Sequence, residues 1–348
     1  MLAGIPGRGD DARAVLNGLF GDTLDAQGSP LATPMTVRRD GAALPLDRAG
    51  LAAALPDATG RVCVLVHGLM STEAIWGFAG DGTTTYGTRL AADHGVTPVY
   101  VRYNTGRHIS TNGQDLAATL DALVAAWPVR VREISLIGHS MGGLVVRSAC
   151  HYAPSHRSRH GRRGSTWFRR PWTSKVRRVV LLGTPNTGAP LEVLANVVSA
   201  TLWSLPIPAT RLVGLGLDQR SAGIKDLRFG AILDEDWMEQ DPDARHRPTP
   251  HRVRPLRRAD YLVVAGSLTE QDGHPVTRVL GDALVTPPSA TGRLAPSPEE
   301  AATLFPGATS RVFPKTGHLA LAADAHVYDA IDQWWDDRRR GGGASTPT

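Results

Sequence analysis

The sequence predicts an α/β fold in which a mainly parallel central sheet carries helices on both faces. Three observations lead there. Short, wholly apolar runs recur along the chain, small or turn-forming residues follow them, and amphipathic stretches separate them. Val62-Cys-Val-Leu-Val66 is the clearest run: five apolar residues without alternation, as expected of a strand buried on both faces. Thr97–Tyr103, Glu133–Ile137, Arg178–Leu182 and Tyr261–Ala265 repeat the pattern. Parallel neighbours need crossover connections, and helices are predicted at Gly87–His94, Gln114–Trp127 and Met141–Tyr152. Within Gln114–Trp127, helical spacing puts Leu116, Leu120, Leu123, Val124 and Trp127 on one face.

The segment before this rhythm, residues 1–58, reads as an N-terminal extension. It holds a helix near Ala12–Phe20, a short hairpin turning at Asp40-Gly41, and a helix capped by Asp47 and running to Leu55. Residues 59–340 form the main domain, interrupted by a basic insertion at 153–174 and a longer insertion at 186–258. A helix over Leu321–Trp335 closes the domain, and the Gly/Ser/Thr/Pro tail at 341–348 is expected to be disordered.

Composition narrows the class. Of 348 residues, 42% are hydrophobic and 20% charged, which excludes a mainly disordered chain. The net charge is +5, carried almost wholly by arginine. No acidic residue lies between Glu133 and Glu192, while Arg157, Arg159, Arg162, Arg163, Arg169 and Arg170 crowd the basic insertion. That segment is either a solvated loop or a peripheral contact for an anionic membrane; no nucleic-acid partner is expected. Two cysteines, Cys63 and Cys150, fall in apolar elements and read as buried thiols. With neither a secretory leader nor a spanning helix evident, the expected location is cytoplasmic, at most peripheral to a membrane.

No cofactor or metal is expected. His151, His156 and His160 come at spacings of five and four without an accompanying carboxylate, and Pro154 is expected to break their helix. Chemistry concentrates elsewhere. Gly138-His-Ser-Met-Gly142 follows a predicted buried strand and opens a predicted helix. A serine in such a turn is raised above the sheet edge, and only small residues fit two positions to either side. The helix beginning at Met141 also points its N-terminal N–H groups toward the serine. His318 lies in Thr316-Gly-His318, between a last short strand and the final helix, where it can act as a general base. Asp282, in Gly281-Asp-Ala-Leu-Val285, heads the acidic candidates, with Asp272, Asp260 and Asp236 as rivals.

Together with His67-Gly68-Leu69 and Leu182-Gly-Thr-Pro-Asn-Thr-Gly-Ala189, these segments resemble the α/β-hydrolase superfamily. Within it they look like the bacterial lipase and esterase branch, which includes relatives of triacylglycerol lipases and GPI inositol-deacylases. Tyr103-Asn-Thr-Gly-Arg-His-Ile-Ser110 is a weaker match to the same branch. The resemblance spans about residues 60–335 and leaves residues 1–58 and the basic insertion outside. It implies Ser140 as nucleophile, His318 as base and Asp282 as the acid that orients it, with Leu69 and Met141 supplying oxyanion-hole N–H groups. It also implies a carboxylic ester substrate, a lipid or acyl ester, cleaved through an acyl-enzyme. Leu191, Leu194, Val197, Val198, Leu202 and Trp203 would line a lid over the serine, or else a fixed cap helix. A thioesterase, amidase or acyltransferase on the same three groups is the alternative, as is a non-catalytic scaffold that binds lipid or a partner.

Overall fold

The computed structural model describes residues 8–78, 83–159, 171–189, 221–241, 249–267, 287–292 and 303–341. Its elements, in chain order, are α1 (Arg8–Ala26), β1 (Thr36–Arg39), β2 (Ala42–Ala43), α2 (Arg48–Ala54), β3 (Arg61–Val66), α3 (Tyr86–His94), β4 (Thr97–Arg102) and α4 (Ile109–Ala126). There follow β5 (Glu133–His139), α5 (Met141–Arg159), β6 (Val176–Leu182), α6 (Ala222–Phe229), β7 (Asp260–Gly266), α7 (Pro287–Ala290), β8 (Thr309–Phe313) and α8 (Ala325–Gly341).

All eight strands form one sheet in the order β2-β1-β4-β3-β5-β6-β7-β8. From β4 to β8 every pairing is parallel, while β1 runs antiparallel to both β2 and β4. The predicted apolar runs are the central strands. In β3 every residue from Val62 to Val66 is buried, and one side of the sheet packs on α4 and α5 while the other packs on α3 and α8. Leu116, Leu120 and Leu123 face the first layer; Leu90, Tyr328, Ile331 and Trp335 face the second.

The hairpin at Asp40-Gly41 forms as predicted, with both residues at positive φ (50° and 76°), which suits a tight turn between twisted strands. Asp47 caps α2 by accepting from the Gly50 N–H at 2.9 Å. Four expectations need correction. The closing helix, expected over Leu321–Trp335, runs from Ala325 to Gly341 and is preceded by a separate 3-10 turn at Leu319–Ala322. The first helix is twice the predicted length, because Val15 and Leu19 pack against the core while its polar residues pair with distant loops. α4 begins five residues before Gln114, where the Asp226 carboxylate accepts from the Ile109 N–H at 2.9 Å. Pro154 does not end α5, which continues to Arg159. Its first three turns are held by core packing, so the helix outlasts the loss of the one N–H bond that proline removes.

The sheet order also marks a topological switch point. β3 lies between β4 and β5, so the chain leaves β3 on one side for β4 and must cross back to the other side for β5. Such a reversal leaves a gap beyond the C-terminal ends of the two strands, where ligands bind in open α/β sheets. Here those ends are His67-Gly68 and His139-Ser140.

Candidate active site

Ser140 occupies the single residue between β5 and α5 and has φ +53°. The left-handed region costs a side-chain-bearing residue roughly 1 kcal/mol or more and persists only where its surroundings enforce it. The surroundings are glycine. A Cβ at Gly138 would lie 2.6 Å from the Gly143 nitrogen, and one at Gly142 would overlap the Val66 and His67 carbonyls. A Cβ at Gly68 would come within 2.9 Å of the Ser140 Cβ. The turn is therefore as tight as the motif demands, and the Ser140 N–H is tied to the Leu182 carbonyl at 2.8 Å. One feature differs from the expectation of an open hydroxyl: Ser140 is 8% exposed.

His318 follows β8 through a turn with Lys315 at φ +54°, and it is itself 5% exposed. Two contacts seat it beside the serine turn. Gly183, next in the chain after the residue that accepts from Ser140, has φ +55°, and a Cβ there would lie 3.0 Å from His318 Nδ1. The ring of His139 stands 4.9 Å from that of His318, and its Nε2 is 3.0 Å from the His318 carbonyl oxygen. A carbonyl only accepts, so His139 Nε2–H is the donor, and Nδ1 keeps a lone pair without a partner among the described residues.

Burial, followed by the nearby His318, pushes the His139 imidazole down to about 3; burial likewise pushes His67 down to about 4. Both rings are therefore neutral at ordinary pH. His67 stacks on Tyr103 with centroids 4.7 Å apart, and the Tyr103 hydroxyl donates to the His67 carbonyl at 2.9 Å. The Met70 N–H donates to Thr105 Oγ1 at 3.2 Å, and Met70 has φ +55°. The turn from His67 to Met70 is thus held against the loop after β4. Leu69 and Met141, the expected oxyanion donors, are both buried at the ends of β3 and β5.

Asp282 lies outside the described residues, as do Asp272 and the apolar half of the cap, Leu191–Leu217. Two rival acids are described, and both are engaged elsewhere. Asp236 accepts from the N–H groups of Ile232 and Leu233, each at 3.0 Å, and from His251. Asp260 opens β7 at the opposite edge of the sheet and pairs with Arg338 at 3.4 Å. Sequence reasoning missed His139 and Gly183 as neighbours of His318. Their signal was present, since one flanks the serine and the other begins Gly-Thr-Pro, but contacts across 179 and 135 residues need the strand order to be seen.

A serine held at positive φ between a parallel strand and a helix, at the sheet's topological switch point, defines an α/β protein of the nucleophile-elbow type. Residues 63–330 match the model of the alpha/beta hydrolase family, and the chain belongs to that family. No curated protein matches the chain. Among solved structures it is similar to the mature Bacillus licheniformis lipase BlEst2, at 17% identity and a TM-score of 0.47, over 87% of this chain and 98% of that one. It is also similar to a thermophilic esterase from Thermogutta terrifontis (16% identity, TM-score 0.43, 80% and 91% of the two chains). A third is the esterase RhEst1 from Rhodococcus sp. (17%, 0.44, 80% and 92%). No helix among the described residues is long and apolar enough to cross a membrane.

Proposed function

We propose that the protein hydrolyses carboxylic esters, with acyl or lipid esters as its substrate class, through a serine-bound acyl intermediate. The observation that carries this reading is the strained Ser140 turn, with His318 packed against the neighbouring His139 and Gly183. Ser140 Oγ attacks the ester carbonyl while His318 accepts its proton. The resulting oxyanion is stabilised by the backbone N–H groups of Leu69 and Met141. Collapse expels the alcohol, which takes the proton from His318. Water then attacks the acyl-enzyme by the same route and releases the acid. Asp282 orients the imidazole and stabilises its positive charge.

Fluorophosphonate labelling tests the reading: the wild type reacts at Ser140 and Ser140→Ala does not. A folded wild type that stays unlabelled would favour a binding protein on a hydrolase fold. A p-nitrophenyl ester series from acetate to palmitate defines acyl length, and parallel thioester and anilide substrates separate esterase from thioesterase or amidase. Contact of the Arg-rich insertion with an anionic membrane belongs to the same reading; co-sedimentation with phosphatidylglycerol vesicles, set against phosphatidylcholine alone, tests it.

A further inference from the structure

The N-terminal extension is not a separate prelude to the site. α1 lies across the catalytic edge and touches three of the segments that meet there. Its two interior glycines sit at the closest approaches: a Cβ at Gly18 would overlap Met70 Cγ, and one at Gly21 would overlap the Asn104 carboxamide. A glycine within a helix costs roughly 1 kcal/mol relative to alanine, so helix propensity does not account for either. From the other side, a Cβ at Gly106 would lie 2.6 Å from the Gly21 nitrogen. Asn104 Nδ2 donates to the Gly21 carbonyl at 2.8 Å.

The third segment lies within the 186–258 insertion, just after its apolar half, where the chain enters α6. Ser221 Oγ donates to the Gly18 carbonyl at 2.7 Å, and the Ala222 N–H donates to Asp22 Oδ2 at 2.8 Å. Nearer its start, α1 stands off from the same loop. A polar cavity of about 170 Å³ there is lined by Asp10, Arg13, Ser71, Thr72 and Arg102. The Gly18–Asp22 turn of the helix bears on Met70 on one side and Ser221 on the other, while Asp10 pairs with Arg102 at 2.7 Å and Asp25 with Arg107 at 3.0 Å.

Met70 is the residue next to Leu69, and its backbone is in the left-handed region. A turn in that conformation keeps its shape only while its neighbours prevent relaxation. Below, Tyr103 and Thr105 hold it; above, the Met70 side chain is pressed against the bare backbone of Gly18. We propose that α1 is a positioning element for the oxyanion turn, setting the direction of the Leu69 N–H through the Gly18–Met70 contact and tying that turn through Ser221 to the start of α6 within the insertion. The inference rests on the ester-hydrolase reading, in which that N–H faces the developing oxyanion.

The experiment uses the full chain and the variants Gly18→Ala, Met70→Ala and the double variant. Each is assayed for kcat and KM on a short p-nitrophenyl ester and for inhibition by a trifluoromethyl ketone. That ketone forms a tetrahedral oxyanion adduct with the serine. Gly18→Ala favours the helix yet pushes Met70, so kcat should fall about 10–100-fold with KM nearly unchanged, the scale expected of a misplaced oxyanion donor. Ketone affinity should fall in step. The double variant should be no worse than Met70→Ala alone, because the new methyl enters the space the methionine leaves. Should Gly18→Ala not fold, Met70→Ala alone must still lower kcat and ketone affinity together.

A Gly18→Ala enzyme that melts earlier but keeps wild-type kcat and ketone binding would overturn the inference alone. So would a double variant that shows the two losses added. A wild type that cleaves no ester and binds no ketone overturns the ester-hydrolase reading, and this inference with it.

Discussion

The two edges of the sheet treat their polar groups in opposite ways. At the edge where the parallel strands begin, charge is matched. Glu133 pairs with Arg178 and with Arg61, whose Nε is 3.7 Å away; Lys175 Nζ donates to the Val131 carbonyl at 2.9 Å, and the Trp127 indole donates to Thr59 at 2.9 Å. At the edge where the strands end, His67 Nε2, His139 Nδ1 and Thr184 Oγ1 are buried without a hydrogen-bond partner among the described residues. Ser140, Met70 and Gly183 there have positive φ. Buried polar groups are ordinarily paired, and backbone strain is ordinarily avoided, because each omission costs on the order of 1–3 kcal/mol. The first edge is rich in matched charge, although Ser135 Oγ near the start of β5 is also buried without a partner among the described residues; the second gathers strain and orphaned groups where the proposed chemistry needs rigid, dry geometry.

The largest effect should break the comparison at Ser140. Ser140→Gly removes the nucleophile and the left-handed strain together. Ester turnover should fall by about 10⁴–10⁶, while stability should rise by about 1 kcal/mol. Stopped assays and urea unfolding of the same preparation check both numbers. A variant that is inactive but no more stable would show that the turn is not strained.

Next in size is Gly183→Ala. The new methyl meets both an unfavourable φ and the His318 ring. A displacement of the base by about 1 Å costs on the order of 100-fold in kcat, and the left-handed alanine about 1–2 kcal/mol in stability. Fluorophosphonate labelling rate and denaturation midpoint read the two losses separately. Retention of full labelling would mean that His318 is seated by something other than this glycine.

These positions also show what could be read along the chain and what could not. The Ser140 turn is a local structure, specified by a buried run, a glycine pair and a helix start within a dozen residues, so spacing alone located it. His318 was legible for the same reason, as a turn between a last strand and a last helix. The seat of His318 was not, because His139 and Gly183 reach it only through the order β3-β5-β6-β7-β8, which no local pattern encodes. α1 was foreseen as a short helix of no assigned role. Its contacts with Met70 and Ser221 join residues 52 and 203 apart, and glycine in a helix reads from sequence as a defect rather than as a point of approach.

A smaller effect sharpens the contrast at His139. Leucine there removes the donor to the His318 carbonyl, and glutamine supplies an amide N–H that can replace it. Loss of one such bond is about 1–1.5 kcal/mol, so His139→Leu should lower kcat about tenfold, with His139→Gln recovering part. Stability should respond to acid as well. The folded protein holds His139 and His67 below the usual imidazole value, so between pH 6.5 and about 4 the unfolded chain binds protons that the native state refuses. Stability is therefore lost as pH falls through that window, by up to ~1.4 kcal/mol per pH unit for each ring. Urea midpoints from pH 7 to 4.5 should show a shallower slope in His139→Gln than in the wild type; equal slopes would mean that His139 is protonated in the fold.

The smallest effect on rate belongs to the matched edge. Glu133→Gln leaves Arg178, which is 6% exposed and stacks at 4.7 Å over Trp335, without its carboxylate. Removing the carboxylate charge beside a buried guanidinium is costly, but the glutamate is itself about one-fifth exposed and water screens part of the loss, so the destabilisation should be about 1–3 kcal/mol. kcat and KM should not move, because β5 runs some 20 Å from Glu133 to the serine at ~3.3 Å per residue, and the intervening strand is packed on both faces. If kcat fell along with stability, strain at the Ser140 turn would have to be balanced through β5 by the charges at its start. The two edges would then be a single coupled device rather than two separate solutions on one sheet.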